Sequence, residues 1–139
     1  MKNIIIDSSV FISALIEEET HHQVSLRYLE SLLSSSQKVQ VIIPRLVLIE
    51  ISNVLFRLYK DSKKAKKLIV MIKNTDNYHI VDIDEEVEAS TTKCLTKMSL
   101  KTSDLIICSI AHVAQGTLVS WDKKMMKEFN KVGQTQTPA

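Results

Sequence analysis

The chain has 139 residues, 18 of them basic and 16 acidic, giving a net charge of +2 at pH 7. That length suits one domain over residues 1–139, able to bury about two-thirds of its unfolded surface without a disulfide or structural metal, and so balanced a charge does not by itself announce a nucleic-acid binder. Cys94 and Cys108 form no C-x-x-C pair and read as reduced core residues, no run of ~18 apolar residues spans a membrane, and the early acid Asp7 argues against a secretory leader, so a cytoplasmic protein is expected.

Asn3 to Ile6 is a short isoleucine-rich run, as expected of a central strand covered on both faces. It ends at Asp7, and Ser8 and Ser9 then offer caps for a helix carrying Val10, Ile12, Ala14 and Leu15. A second helix is expected over His22 to Leu33, a serine turn at Ser34 to Ser36, and a strand over Gln40 to Ile43. Pro44 suits the opening of a helix whose body runs from Leu46 to Tyr59. Asp61 or Ser62 can cap another through Lys73, followed by a strand from Tyr78 to Ile83 and a helix from Glu85 to Lys97. Thr102 or Ser103 would cap a helix from Asp104 to Ala114, closed by Gly116 in a left-handed turn. Thr117 to Ser120 reads as a strand, Lys123 to Phe129 as a short helix, and the last residues as an edge strand. Strands alternating with helices, without tight hairpin turns, indicate an α/β fold with a mainly parallel sheet.

In such sheets ligands bind beyond the carboxyl ends of the strands. Asp7 and Asp122 both follow strands, each with a hydroxyl nearby, Ser9 and Ser120, able to orient a carboxylate; helix capping explains either acid singly as well. Glu50 interrupts the apolar run "LVLIEISNVL". At 3.6 residues per turn Glu50, Asn53 and Arg57 make one polar stripe, and Val47, Ile51, Val54 and Leu58 the apolar face, so the stripe meets either solvent or a polar cleft. Asp104 opens "DLIICSIAHVA", apolar or small on nearly every side, with Asp104, Cys108 and Ala111 on one face.

If the four acids converge, each pair at ~4 Å repels by about 4 kcal/mol, so the cluster must take up protons or bind a multivalent cation. Oxygen donors select a hard ion, Mg²⁺ or Mn²⁺, and such sites suit phosphodiester cleavage by water. Arg57, Lys60 and Lys123 are candidates for contacts with an RNA backbone, although a lysine run is more often a solvated helix face. His21, His22, His79 and His112 show no ligand spacing and read as ordinary surface or core side chains.

Taken in order, "IIIDSSVFISALI", "VIIPRLVLIEISNVL" and "KTSDLIICSIAHVAQGTLVSWDKKM" resemble the PIN domain, especially the VapC-like toxin ribonucleases, over nearly the whole chain. The resemblance implies a three-layer domain with a parallel five-stranded sheet in order 3-2-1-4-5 flanked by helices. It also implies an endoribonuclease whose Mg²⁺ or Mn²⁺ is held by Asp7, Glu50, Asp104 and Asp122, supported by Ser9 and Ser120 and, more weakly, Asn53. Relatives of this kind form homodimers and are held inactive by a small antitoxin. Cys108, Ser109 and Ile110 depart from the small alanines commoner there. Two other readings stay open: a PIN-type nuclease of RNA maturation or decay without an antitoxin, and a receiver-like, non-catalytic α/β binding module, for which Ser8 and Ser9 stand where a second acid belongs.

Overall fold

A computed structural model of the chain describes residues 1–34 and 38–139. Its elements are β1 (Lys2–Ile6), α1 (Ser8–Leu15), α2 (His22–Ser34), β2 (Val39–Pro44), α3 (Arg45–Tyr59), α4 (Ser62–Lys73), β3 (Tyr78–Val81), α5 (Glu85–Cys94), α6 (Thr102–Val113), β4 (Thr117–Val119), α7 (Lys123–Phe129) and β5 (Gln134–Gln136). Ser34 ends α2, and the remainder of the serine turn, Ser35 and Ser36, lies outside the described residues.

The five strands form one sheet in the order β3-β2-β1-β4-β5, with every neighbouring pair parallel. β1 is central because it can be: Ile4, Ile5 and Ile6 are buried whichever face they point to, and Ile5 pairs with Ile42 on one side and Leu118 on the other. Successive crossovers run outward from β1 through β2 to β3, then return across the sheet to β4 and β5. Right-handed connections in both directions lay the helices on opposite faces; α1 packs with α2 and α3, α3 with α4, and α5 with α6, while α6 also meets α3 and α7. The order reverses between β1 and β4, which is where parallel sheets open a crevice beyond their carboxyl ends. No helix among the described residues is long and apolar enough to cross a membrane.

Several element ends differ from expectation. β3 stops at Val81 rather than Ile83, because its partner β2 ends at Pro44, which pairs with Val81; Asp82 instead meets Arg45 in an exposed ion pair. Pro44 is thus the last strand residue as well as the residue before α3, not a member of the helix. α5 ends at Cys94 rather than Lys97, where Met98 folds back to donate to the Cys94 carbonyl and buries its own side chain. α6 begins two residues before Asp104, at Thr102, so Thr102 and Ser103 lie within its first turn and Lys101 precedes it without a side-chain cap.

On α3 the buried stripe is Val47, Leu48, Ile51 and Leu55, and Leu58 is 56% exposed. The last turn of that helix runs past the core, which is why the expected apolar face fails there. Gly116 also takes a different role. The left-handed residue ending α6 is Gln115, with φ 51°, and Gly116 follows it to donate to the Ala111 carbonyl, closing a Schellman motif. A Cβ on Gly116 would lie 2.3 Å from Ile5 Cδ1 and 3.1 Å from the Asn3 carbonyl oxygen, so glycine is needed for close passage over β1.

Candidate active site

Asp7 is the first residue past β1 and is buried, yet its side chain caps nothing in α1. Its Oδ2 accepts from two hydroxyls, Ser9 at 2.9 Å and Ser120 at 2.8 Å. Each of those hydroxyl oxygens in turn accepts a backbone N–H from the turn after β4, Ser9 from Trp121 at 3.0 Å and Ser120 from Asp122 at 2.9 Å. The carboxylate is therefore fixed by donors whose own orientation is fixed, and because hydroxyls donate one proton each, both protons are committed to Asp7. Among the described residues its Oδ1 has only the long 3.5 Å contact with Ser8. The Asp7 backbone N–H donates to the Val119 carbonyl, so β1 and β4 remain joined up to the point at which both acids emerge.

Asp122 caps α7, accepting from the Met125 N–H at 3.0 Å through Oδ1. Capping occupies one oxygen and leaves the other. Asp104, in the first turn of α6, is only 13% exposed and has Lys101 at 4.0 Å. Glu50 lies on α3, with Oε1 buried and lacking any hydrogen-bond partner among the described residues. A cleft of about 310 Å³ is lined by all four acids, together with Ser8, Ser9, Lys101, Glu19, His21 and Trp121 among others.

Burial raises the Glu50 carboxyl above the usual carboxylate range, reinforced by the charges of Asp7 and Asp104 and opposed by Ser8 and Lys101. Burial likewise raises Asp104; Lys101 opposes the rise, while Asp7 and Asp122 add to it. Cys108, buried on α6 four residues after Asp104, has its thiol pushed well up by burial and then by Asp104 and Asp7, so it is an inert neighbour. These mutual effects reveal a shared electrostatic environment. They do not amount to a finished coordination shell, because no three His, Cys, Asp or Glu side chains among the described residues are arranged to hold one ion. Mg²⁺ retains several waters and takes one or two direct carboxylates in such sites, so an open cleft with an orphaned carboxylate oxygen fits it better than a closed cage would.

Not every expected residue reaches the cleft. Asn53, Arg57, Lys60 and Lys123 are exposed and absent from its lining. Arg57 lies about 10 Å further along the helix axis than Glu50 at 1.5 Å per residue, and Asn53 is turned aside by roughly 60°. Conversely, Lys101, Glu19, His21 and Trp121 line it without having been singled out by spacing. His21 stacks on Trp121 with ring centroids 3.6 Å apart and planes 5° from parallel. That contact joins positions a hundred residues apart, and no local pattern announces it.

The model of the PIN domain family matches residues 4–132 of the sequence. Among solved structures, the fold is similar to VapBC2 from Rickettsia felis bound to a DNA fragment from their promoter, with TM-score 0.74 and 15% identity over 97% of this chain and 98% of that one. It is also similar to a toxin-antitoxin complex from Klebsiella pneumoniae, with TM-score 0.70 and 17% identity over 98% of both chains. VapC20 of Mycobacterium tuberculosis, described as a sarcin-ricin loop cleaving toxin, gives TM-score 0.69 and 15% identity over 88% of this chain and 92% of that one. No curated protein sequence matches the chain. With the strand order, the acids at the switch point and a family model that runs across nearly the whole sequence all in agreement, the chain belongs to the PIN domain family.

Proposed function

We propose that the protein is a cytoplasmic, Mg²⁺- or Mn²⁺-dependent endoribonuclease, the toxin of a toxin-antitoxin pair. The observation that carries this reading is Glu50 Oε1, buried and without a hydrogen-bond partner among the described residues, in a cleft shared with Asp7, Asp104 and Asp122. A buried carboxylate oxygen without a partner costs about 1–3 kcal/mol, and a hard cation removes that cost. Asp7, Glu50, Asp104 and Asp122 would hold the ion. Bound there, it would supply an activated water at neutral pH and offset charge on the phosphate.

The chain's own residues do the remaining work. Ser9 and Ser120 hold Asp7 through Oδ2 and so leave Oδ1 available. Lys101 brings a positive charge into the cleft beside Asp104, where a phosphate oxygen can meet it. Lys123, next in sequence to Asp122, is a further candidate for backbone contact, with Arg57 and Lys60 more distant. No cysteine serves as nucleophile, since Cys94 and Cys108 are both buried.

A protein partner is supported by apolar surface on α3 and α4, where Ile49, Phe56 and Val70 are 61%, 47% and 55% exposed. Patches of that kind mark interaction faces, and both an antitoxin and a second copy of the chain are proposed occupants. The resemblance in fold to toxin-antitoxin complexes favours this over an RNA-maturation nuclease.

The test is cleavage of single-stranded RNA by purified protein. Activity should require Mg²⁺ or Mn²⁺, stop with EDTA, and fall at least a hundredfold, on the order expected for removal of a transition-state charge contact, in Asp7→Asn and Asp104→Asn. Unchanged cleavage by either variant would exclude the mechanism. Growth arrest on expression, relieved by the product of an adjacent gene, would distinguish the toxin from a maturation enzyme.

A further inference from the structure

We infer that His21 and Trp121 form a stacking subsite for an unpaired nucleobase beside the four acids, which positions the substrate for cleavage. This rests on the nuclease reading above and adds to it a requirement on the substrate. The two rings are parallel and in contact, and both line the cleft that holds the carboxylates. His21 is exposed, so the outer face of its ring is open as a third layer of the stack.

The pair is anchored more firmly than a chance surface contact needs. The Trp121 indole N–H donates to Ser25 Oγ at 2.7 Å, and Ser25 bonds to Ser13, which donates to the Val10 carbonyl; Ser13 and Ser25 are both buried. The Trp121 backbone N–H donates to Ser9, the same hydroxyl that holds Asp7. The His21 carbonyl accepts from the first turn of α2, and neighbouring His22 bonds the Ser13 carbonyl through Nδ1. Stack and carboxylates are thus referenced to one hydrogen-bonded frame. A base resting on the stack would have its adjoining phosphate at a fixed displacement from Asp7 and Asp122.

Charge gives the second reason. Around the cleft are four site acids and Glu19, against Lys101 as the lysine in its lining. Such a surface by itself attracts a phosphate backbone poorly, so a contact that does not depend on charge adds affinity beyond what the ion and Lys101 supply. Stacking of a base on an aromatic ring is that contact, and it is tolerant of base identity. A base paired inside a duplex cannot offer its face, which restricts the substrate to single strands and loops.

Trp121 is the one tryptophan in the chain, so its emission reports on this subsite alone. The probe is a short single-stranded RNA, alongside the same RNA carrying an abasic nucleotide beside the cleaved bond. On titration of the Asp104→Asn protein, emission should be quenched. His21→Ala should raise the Kd, and in the otherwise intact enzyme the KM, by about tenfold, the value of one base–aromatic stack. His21→Phe should restore both, and the abasic RNA should erase the difference between wild type and His21→Ala. If His21→Ala binds and cleaves like wild type, or His21→Phe fails to rescue, the subsite is disproved while the nuclease stands. RNA that is bound with quenching and His21 dependence, yet never cleaved, upholds the subsite and removes the nuclease. Absence of binding to wild type removes both.

Discussion

Glu50 is the residue whose environment is least comfortable, and its discomfort has a definite pH signature. Its folded-state pKa is raised, first by burial and then by Asp7 and Asp104, and that of Asp104 is raised as well. A raised carboxyl means that the folded state holds the proton more tightly than the unfolded chain. The resulting stability is complete below the unfolded value, about 4.3 for Glu and 3.9 for Asp, and is lost as pH rises through the folded values. Metal-free protein in EDTA should accordingly be less stable at neutral than at acidic pH because of these two groups. Glu50→Gln should remove much of that dependence and stabilise the metal-free protein at neutral pH. Urea unfolding at acidic and neutral pH measures it; an unaltered pH slope would show that Glu50 is comfortably solvated.

At the scale of elements, the end of α6 carries two residues whose chemistry is easily confused in a sequence. Gln115 adopts the left-handed conformation and Gly116 the close approach, 2.3 Å from Ile5 Cδ1 for an added Cβ. Gln115→Gly should therefore stabilise the protein by about 1 kcal/mol, whereas Gly116→Ala should destabilise it by about 1–3 kcal/mol through overpacking against a fully buried isoleucine. Denaturant midpoints of the two variants, moving in opposite directions, would verify the assignment. Sequence reasoning located the glycine and chose the wrong function for it, because both demands select the same side chain. The strands around β1 were readable because isoleucine runs bounded by polar residues have few other uses, and the parallel order followed from the resemblance. Boundaries such as Val81 were not, since they are set by where the partner strand ends. Asn53 and Arg57 were read as companions of Glu50 from helical periodicity, which describes angle but ignores where along its axis a helix leaves the cleft. The stacking of His21 on Trp121 was invisible for a complementary reason: each residue taken locally looks like a bystander, and the contact exists only after α1, α2 and the β4–α7 turn have packed.

For the whole molecule, the four acids come from four separate places, the ends of β1 and β4 and the bodies of α3 and α6. An ion shared among them would tie these elements together in the folded state and have no equivalent in the unfolded chain. Mn²⁺ at a hundred times its Kd should then raise the unfolding free energy by about 2.7 kcal/mol, with the gain reduced in Asp104→Asn. Calorimetry with and without the ion measures the effect, and a transition that ignores millimolar Mn²⁺ would leave the carboxylate cleft without its proposed occupant. The hydrogen bond from Ser120 to Asp7 spans 113 positions of chain. A ribosome working from the amino end makes Asp7 more than a hundred residues before β4, so the second hydroxyl that secures its carboxylate is not available until that later stretch has been added. Chains that stop short of β4 lack the assembled cluster of carboxylates altogether.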